Sequence, residues 1–263
     1  MTWTPNDRED QLINVLQRMK DIFERDPEAA VRSQEFIKTF HNFIAQDLDS
    51  FITPKARAAG VRVVEEAPVY GSYKSKNVDV AVIHPTNGPL ILVGVRSQMS
   101  SVGKNVLTYY QDIVGEAISL QERFPMCTTG YAYVHPFEVR PWQKGNGDWT
   151  RAETPNHRRY ARLYAAIGQR DDRLYKHMTG AYDHFAYCVA DFHADPIAVR
   201  DEIVTRSVPH LDLSIRTFVP RLIGTFHARN LWVQDIFEPT DTEDFPDDEG
   251  GDEELDPTLV TQD

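Results

Sequence analysis

The chain has 263 residues, 41% hydrophobic and 11% aromatic, with 28 basic and 40 acidic side chains and a formal charge of −12. That length fits one large domain, or one domain with an appended subdomain. The apolar runs fall short of the ~18–20 residues a membrane span needs, and MTWTPNDREDQL lacks the charged-then-apolar pattern of a signal peptide, so a cytoplasmic location is expected.

The charge is unevenly placed. Residues 241–263 hold 11 acids and no Lys or Arg; taking these from the total of 40 leaves 29 acids against 28 bases in the rest. A body so close to neutral does not exclude nucleic acid. The segment 239–263 reads as a solvating, disordered tail. Less strongly, it reads as a mimic of phosphate charge over a basic groove, or as a handle for a protein partner.

Apolar positions Leu12, Ile13, Val15, Leu16, Met19, Ile22 and Phe23 predict a helix from Arg8 to Glu24. A second is predicted from about Pro27 to Ile52, burying Val31, Phe36, Ile37, Phe40, Phe43 and Ile44. A short basic helical piece with Lys55 and Arg57 ends at Gly60. Val61–Val64, Pro68–Tyr70 and Val78–Ile83 read as strand, with a turn over residues 71–77. Pro85-Thr86-Asn87-Gly88 is a tight turn. Leu90–Val95, apolar on both faces, reads as a central strand. Ser100 or Ser101 is the expected N-cap of a helix from Val102 to Arg123. Thr129–Val134 is another strand, closed by His135-Pro136. His84 and His135, each before a Pro at a strand end, read as turn residues.

Beyond Pro141 a polar loop runs to Asn156. Helical patterns follow at Tyr160–Gly168, Leu174–Val189 and Ser214–Phe226, with a strand at Phe185–Asp191 competing for the end of the second. The expected division is an N-terminal helix (1–26), a core (27–136), an extension packed on it (137–238) and the acidic tail. Cys127 and Cys188 show no CxxC or Cys/His spacing and lie in apolar stretches, which favours buried free thiols over a disulfide or zinc ligands.

The order helix, strand, strand, strand, helix, strand predicts an α/β core with a mixed sheet. Asp79 lies on the second strand, in Asn77-Val78-Asp79-Val80-Ala81-Val82. On the third strand Gly94, Arg96 and Gln98 share one face. These segments, with Arg96-Ser97-Gln98-Met99-Ser100-Ser101-Val102-Gly103-Lys104-Asn105 and Gly115-Glu116-Ala117, resemble the restriction-endonuclease-like, PD-(D/E)XK nuclease superfamily over roughly residues 30–136. The resemblance implies a restriction-endonuclease-like core with a helical C-terminal extension, a Mg²⁺-dependent DNA endonuclease activity of a restriction or phage-defence kind, and often a two-fold homodimer on palindromic DNA.

Asp79 matches the family's first acid and metal ligand. Gly94 stands where the second acid is expected, and Arg96 where a lysine is expected. Glycine ligates nothing, and arginine is no base because its pKa stays above ~12, although it can clamp a phosphate. Gln98, or Glu65 or Glu66 on the preceding strand, could supply the missing metal ligand, and Lys104 the missing lysine. Glu35 and Glu116 on flanking helices are weaker candidates. Arg158, Arg159 and Arg162, with Trp142 and Tyr160 nearby, offer a phosphate-contacting helix face.

Each residue also has a structural reading. Asp79 could cap a turn or pair with Arg96, and the arginines could be a solvated surface. A catalytically inactive nuclease-fold protein that binds DNA or a partner is the alternative function. A second carboxylate within about 5 Å of Asp79 would mark a metal site, whereas Arg96 alone there would mark an ion pair.

Overall fold

A computed structural model describes residues 2–26, 35–99, 102–140, 142, 143, 145, 147–168, 170 and 181–240. Helix α1 (Pro5–Arg25) begins at a capping box: the Thr4 hydroxyl accepts from the Asp7 N–H while Asp7 accepts from the Thr4 N–H, so two otherwise orphaned donors are satisfied. Its stripe of Leu12, Val15, Leu16 and Met19 is buried against α2 (Glu35–Phe51), the described part of the predicted second helix. A buried ion pair ties the two helices. Arg8 Nε and Nη2 donate to the two oxygens of Asp47 at 2.6 and 2.9 Å, both side chains being buried. Helix α3 (Pro54–Ala58) follows, and Gly60 ends it at φ 92°, a left-handed conformation that favours glycine.

Strands β1 (Arg62–Tyr70), β2 (Ser75–His84) and β3 (Gly88–Ser97) form an antiparallel meander. The β1–β2 turn is shorter than expected, because Ser75, Lys76 and Asn77 pair with Tyr70, Val69 and Pro68. His84 Nδ1 accepts from the Thr86 and Asn87 N–H groups and so closes the β2–β3 turn. Helix α4 (Val102–Arg123) carries the chain across the sheet to β4 (Thr128–Pro136), parallel to β3. The proposed caps Ser100 and Ser101 lie outside the described residues.

The polar loop contains a small hairpin, β5 (Trp142–Gln143) with β6 (Asp148–Trp149), and leads to α5 (His157–Ala166). The helix expected up to Val189 is corrected over its described end: His184–Asp191 is strand β7, parallel to β4. Phe185 to Asp191 are all buried, and a run buried on both faces carries no period that separates helix from strand. Residues 171–180 lie outside the described residues. Strand β8 (Ala198–Val199) pairs with β7, so the extension contributes two strands to the sheet as well as packing on it. Helices α6 (Asp201–Ser207) and α7 (Phe218–Arg229) follow. The last helix starts later than the predicted Ser214 because Asp212, Ser214 and Thr217 bond one another in a turn.

The result is a mixed six-stranded sheet, order β1-β2-β3-β4-β7-β8, with seven α-helices among the described residues. Helices α1, α2 and α7 cover one face, over Val80, Val82, Val93, Val95, Ala132 and Val134. Helices α4 and α5 cover the other, where Tyr131, Tyr133, Tyr164, Tyr182, Phe185 and Tyr187 form an aromatic layer. Cys127 and Cys188 are buried free thiols, as expected. Among the described residues no helix is long and apolar enough to cross a membrane.

Replacing Arg8 with Ala strands a buried carboxylate. Urea denaturation should show about 3–5 kcal/mol of lost stability; a loss below about 1 kcal/mol would mean the pair contributes little.

Candidate metal centre

The β1–β2 pairing places Glu66 directly across from Asp79, between the pairs Glu65/Val80 and Ala67/Val78. Here both strands break their alternation. Val64 and Ala67, three apart, pack in one cluster with Val78 and Ala81, also three apart, whereas side chains of a regular strand return to a face every second residue. The break coincides with Glu66 at φ 51°, a left-handed conformation that costs a non-glycine residue of order 1 kcal/mol or more and marks functional sites. Beyond it, the end of the hairpin packs on α4 through Ala67, Val69, Val78 and Leu120.

At this bend one ligand atom each of His41, Glu66 and Asp79 lies within 4.8 Å of the others. His41 projects from the apolar stripe of α2, between Phe40 and Phe43, and its side chain is only 3% exposed. Its Nδ1 approaches Glu66 Oε1 at 3.5 Å, yet neither ring nitrogen makes a hydrogen bond. Burial is the main cause of a pKa lowered to about 4, so near neutral pH the ring is uncharged and keeps a lone pair. Asp79 Oδ2 accepts from the Val95 N–H at 2.6 Å. Burial raises its pKa, against the Val95 bond and the charges of Lys76 and Arg96.

The spacing suits a divalent cation, whose ligands at bonds near 2.2 Å sit about 3.1 Å apart when adjacent and about 4.4 Å when opposite. Two partly buried carboxylates and a buried imidazole whose nitrogens make no hydrogen bond are a fitting donor set.

A carboxylate from α4 stands beside position 94, where the resemblance led a second acid to be expected. Gly94 continues the row from Asp79 by the β2–β3 register and pairs with Tyr131 on β4. A Cβ on Gly94 would lie 2.5 Å from the Tyr131 ring and 3.3 Å from Glu116 Oε1. The Tyr131 ring therefore occupies the space a side chain would need, and the carboxylate of Glu116 reaches the same spot from α4. Glu116 Oε2 pairs with Lys76 Nζ, while Oε1 is buried without a hydrogen bond. Burial raises the Glu116 pKa most; Lys76 and Arg96 oppose that, and Asp79 adds to it.

The other predicted residues scatter. Arg96 lies with its guanidinium 4.2 Å from the Tyr109 ring centre, a cation–π contact, and its buried Nη1 has no hydrogen-bond partner. No ion pair joins it to Asp79 among the described residues. Gln98 is buried and its Oε1 accepts from the Tyr133 hydroxyl at 3.2 Å. Glu65 is exposed, its pKa raised by partial burial and then by Glu66. Glu35 pairs with Arg25 at 3.3 Å on the surface. The side chain of Lys104 lies outside the described residues. Arg158, Arg159 and Arg162 are exposed on α5 and line a groove of about 550 Å³ with Asn156 and Leu163.

His41 and Lys76 were missed by sequence reasoning, and Glu116 was ranked low. For His41 and Glu116 a signal existed: each is a polar residue within the buried stripe of an amphipathic helix. Lys76 gave none, because its position depends on the bend.

Comparison with protein-family models, with curated proteins and with solved structures found no match in any of the three.

Two outcomes follow from this geometry. Gly94→Asp should lower the thermal midpoint by roughly 5 °C or more, since overpacking costs about 1–3 kcal/mol; an unchanged midpoint would mean Tyr131 yields freely. In calorimetric titration Mn²⁺ should bind more tightly than Mg²⁺, because imidazole suits the softer ion. His41→Ala should weaken Mn²⁺ by about 10-fold and Mg²⁺ much less; equal effects on both ions would remove His41 from the ligand set.

Proposed function

We propose that the chain is a metal-dependent DNA endonuclease with a restriction-endonuclease-like core. The observation that carries this reading is the convergence of Asp79, Glu116 and Lys76 around Gly94. An acid and a lysine absent from β3 are supplied there from α4 and β2.

His41, Glu66 and Asp79 would hold the cation, which when bound polarises a phosphate oxygen and acidifies water. The chain's own groups do the rest. Lys76 donates a hydrogen bond that orients the attacking water. Glu116, whose burial raises its proton affinity, accepts the water's proton through the unpartnered Oε1. The water oxygen then bonds to phosphorus as the bond to the leaving sugar oxygen breaks, and that oxygen takes a proton from solvent. Arg96 offers its free Nη1 to a non-bridging oxygen and carries no proton. Further along the backbone, Arg158, Arg159 and Arg162 meet phosphates.

The ring of Tyr131 at Gly94 and the Lys76–Glu116 ion pair favour a second reading, a nuclease-fold protein that binds DNA without cutting. Cleavage assays separate the two. Plasmid DNA or a gapped duplex with Mn²⁺ or Mg²⁺ should be cut, and Asp79→Asn and Glu116→Gln should each reduce the rate by about 100-fold or more, the scale of a lost catalytic group. Salt-sensitive binding without cutting would instead establish the second reading. Full activity in both variants would end the first.

A further inference from the structure

The β1–β2 hairpin ends in an exposed tip that carries aromatic and basic side chains. From Ala67 to Val78 it holds two lysines, two tyrosines and no acid, in a chain whose net charge is −12. Tyr70 and Tyr73 are each 72% exposed, as much as any large hydrophobic side chain among the described residues. Lys74, Ser75 and Asn77 are exposed beside them. A shallow groove of about 180 Å³ runs between the arms, lined by Pro68, Val69, Tyr70, Ser75, Lys76 and Asn77.

The tip that displays these rings is fastened. Gly71 N–H donates to the Lys74 carbonyl at 3.0 Å, and Ser72 N–H to the Ser119 carbonyl of α4 at 2.9 Å. Tyr73 N–H donates to the Ser119 hydroxyl at 3.2 Å, and the Glu122 carboxylate near the Tyr73 hydroxyl raises its pKa. A Cβ on Gly71 would collide with the Ser119 hydroxyl, so the close approach requires glycine. Below, Val69, Val78 and Leu120 are packed together. A fixed backbone that leaves two aromatic rings in water is pre-organised for contact, since little freedom remains to be lost on binding.

We propose that this hairpin is a rest for an unpaired nucleic-acid strand, whose bases stack on Tyr70 and Tyr73 while Lys74 meets its phosphates. The inference builds on the nuclease reading and names its substrate as DNA with a single-stranded portion. Two observations select this occupant. The first is charge: Lys74 is an exposed cation on an arm with no acid of its own, the carboxylates that face it, Glu116 and Glu122, belonging to α4. The second is continuity, because Lys76 of the same strand ends at Glu116 within the candidate centre. Tyr73 and Asp79 are six residue steps apart, a path of roughly 20 Å at strand rise, or about three nucleotides. Duplex DNA buries its base faces in the stack and has none to offer the rings; every unpaired base has one.

The test is fluorescence anisotropy on the full chain in EDTA, so that no cutting occurs. A labelled 12-nucleotide oligo-dT and a duplex of equal length serve as probes. The single strand should bind at least about 10-fold more tightly than the duplex. Tyr70→Ala/Tyr73→Ala should lose about 10-fold or more of single-strand affinity, the scale of lost stacking, and little duplex affinity. Tyr70→Phe/Tyr73→Phe should keep single-strand binding, because a ring suffices. Wild-type affinity in the double alanine variant, or equal loss for both probes, would overturn the proposal. That result would leave metal-dependent cleavage untouched, whereas no cleavage of any DNA with Mn²⁺ would defeat the nuclease reading and leave the binding comparison standing.

Discussion

The arrangement of the centre depends on one steric constraint: β3 passes so close to the Tyr131 ring that position 94 has no room for a side chain. The ring cannot easily yield. It is fully buried, stacked on Phe185 at 5.5 Å and edge-on to Tyr182 at 5.3 Å, inside an aromatic layer that fills the space under α4 and α5. A carboxylate beside position 94 must therefore come from elsewhere, and α4 presents Glu116 there. Once there, Glu116 is buried and requires a cation, which Lys76 provides.

A second constraint is the bend at Glu66 and Asp79. A regular strand pair would keep the hairpin in the plane of the sheet, and Lys76 away from α4. The left-handed residue at Glu66 breaks the alternation, and the end of the hairpin folds onto α4. On the opposite side of the bend, α2 brings His41 to Glu66. The position of α2 rests in turn on its packing with α1 and on the buried Arg8–Asp47 pair. Strain at one residue thus coincides with the gathering of groups from α2, β1, β2 and α4.

Much of the scaffold was legible in the sequence because its signals are local. The stripe of α1, the apolar run of β3, the turn at Pro85–Gly88 and the long helix from Val102 to Arg123 each obey one period or one turn chemistry. Strand β7 was ambiguous for a physical reason, since burial on both faces erases the period. At the site, Asp79 and Glu66 were legible as acids on neighbouring strands, and their facing positions satisfy the distance expected of a metal pair. Lys76 and Glu116 were not, because adjacency between β2 and α4 is created by a bend that sequence spacing does not encode. His41 was hidden by its stripe, where a buried histidine reads first as core.

The account stands or falls on where a cation sits. Crystals soaked in Mn²⁺ and measured near its absorption edge should show an anomalous peak bounded by one nitrogen of His41 and oxygens of Glu66 and Asp79, at bonds of about 2.2 Å. Density there would give the bend its purpose and leave Glu116 and Lys76 facing the bound water. A peak at other residues, or none at millimolar Mn²⁺, would contradict the assignment of this cluster as the metal centre.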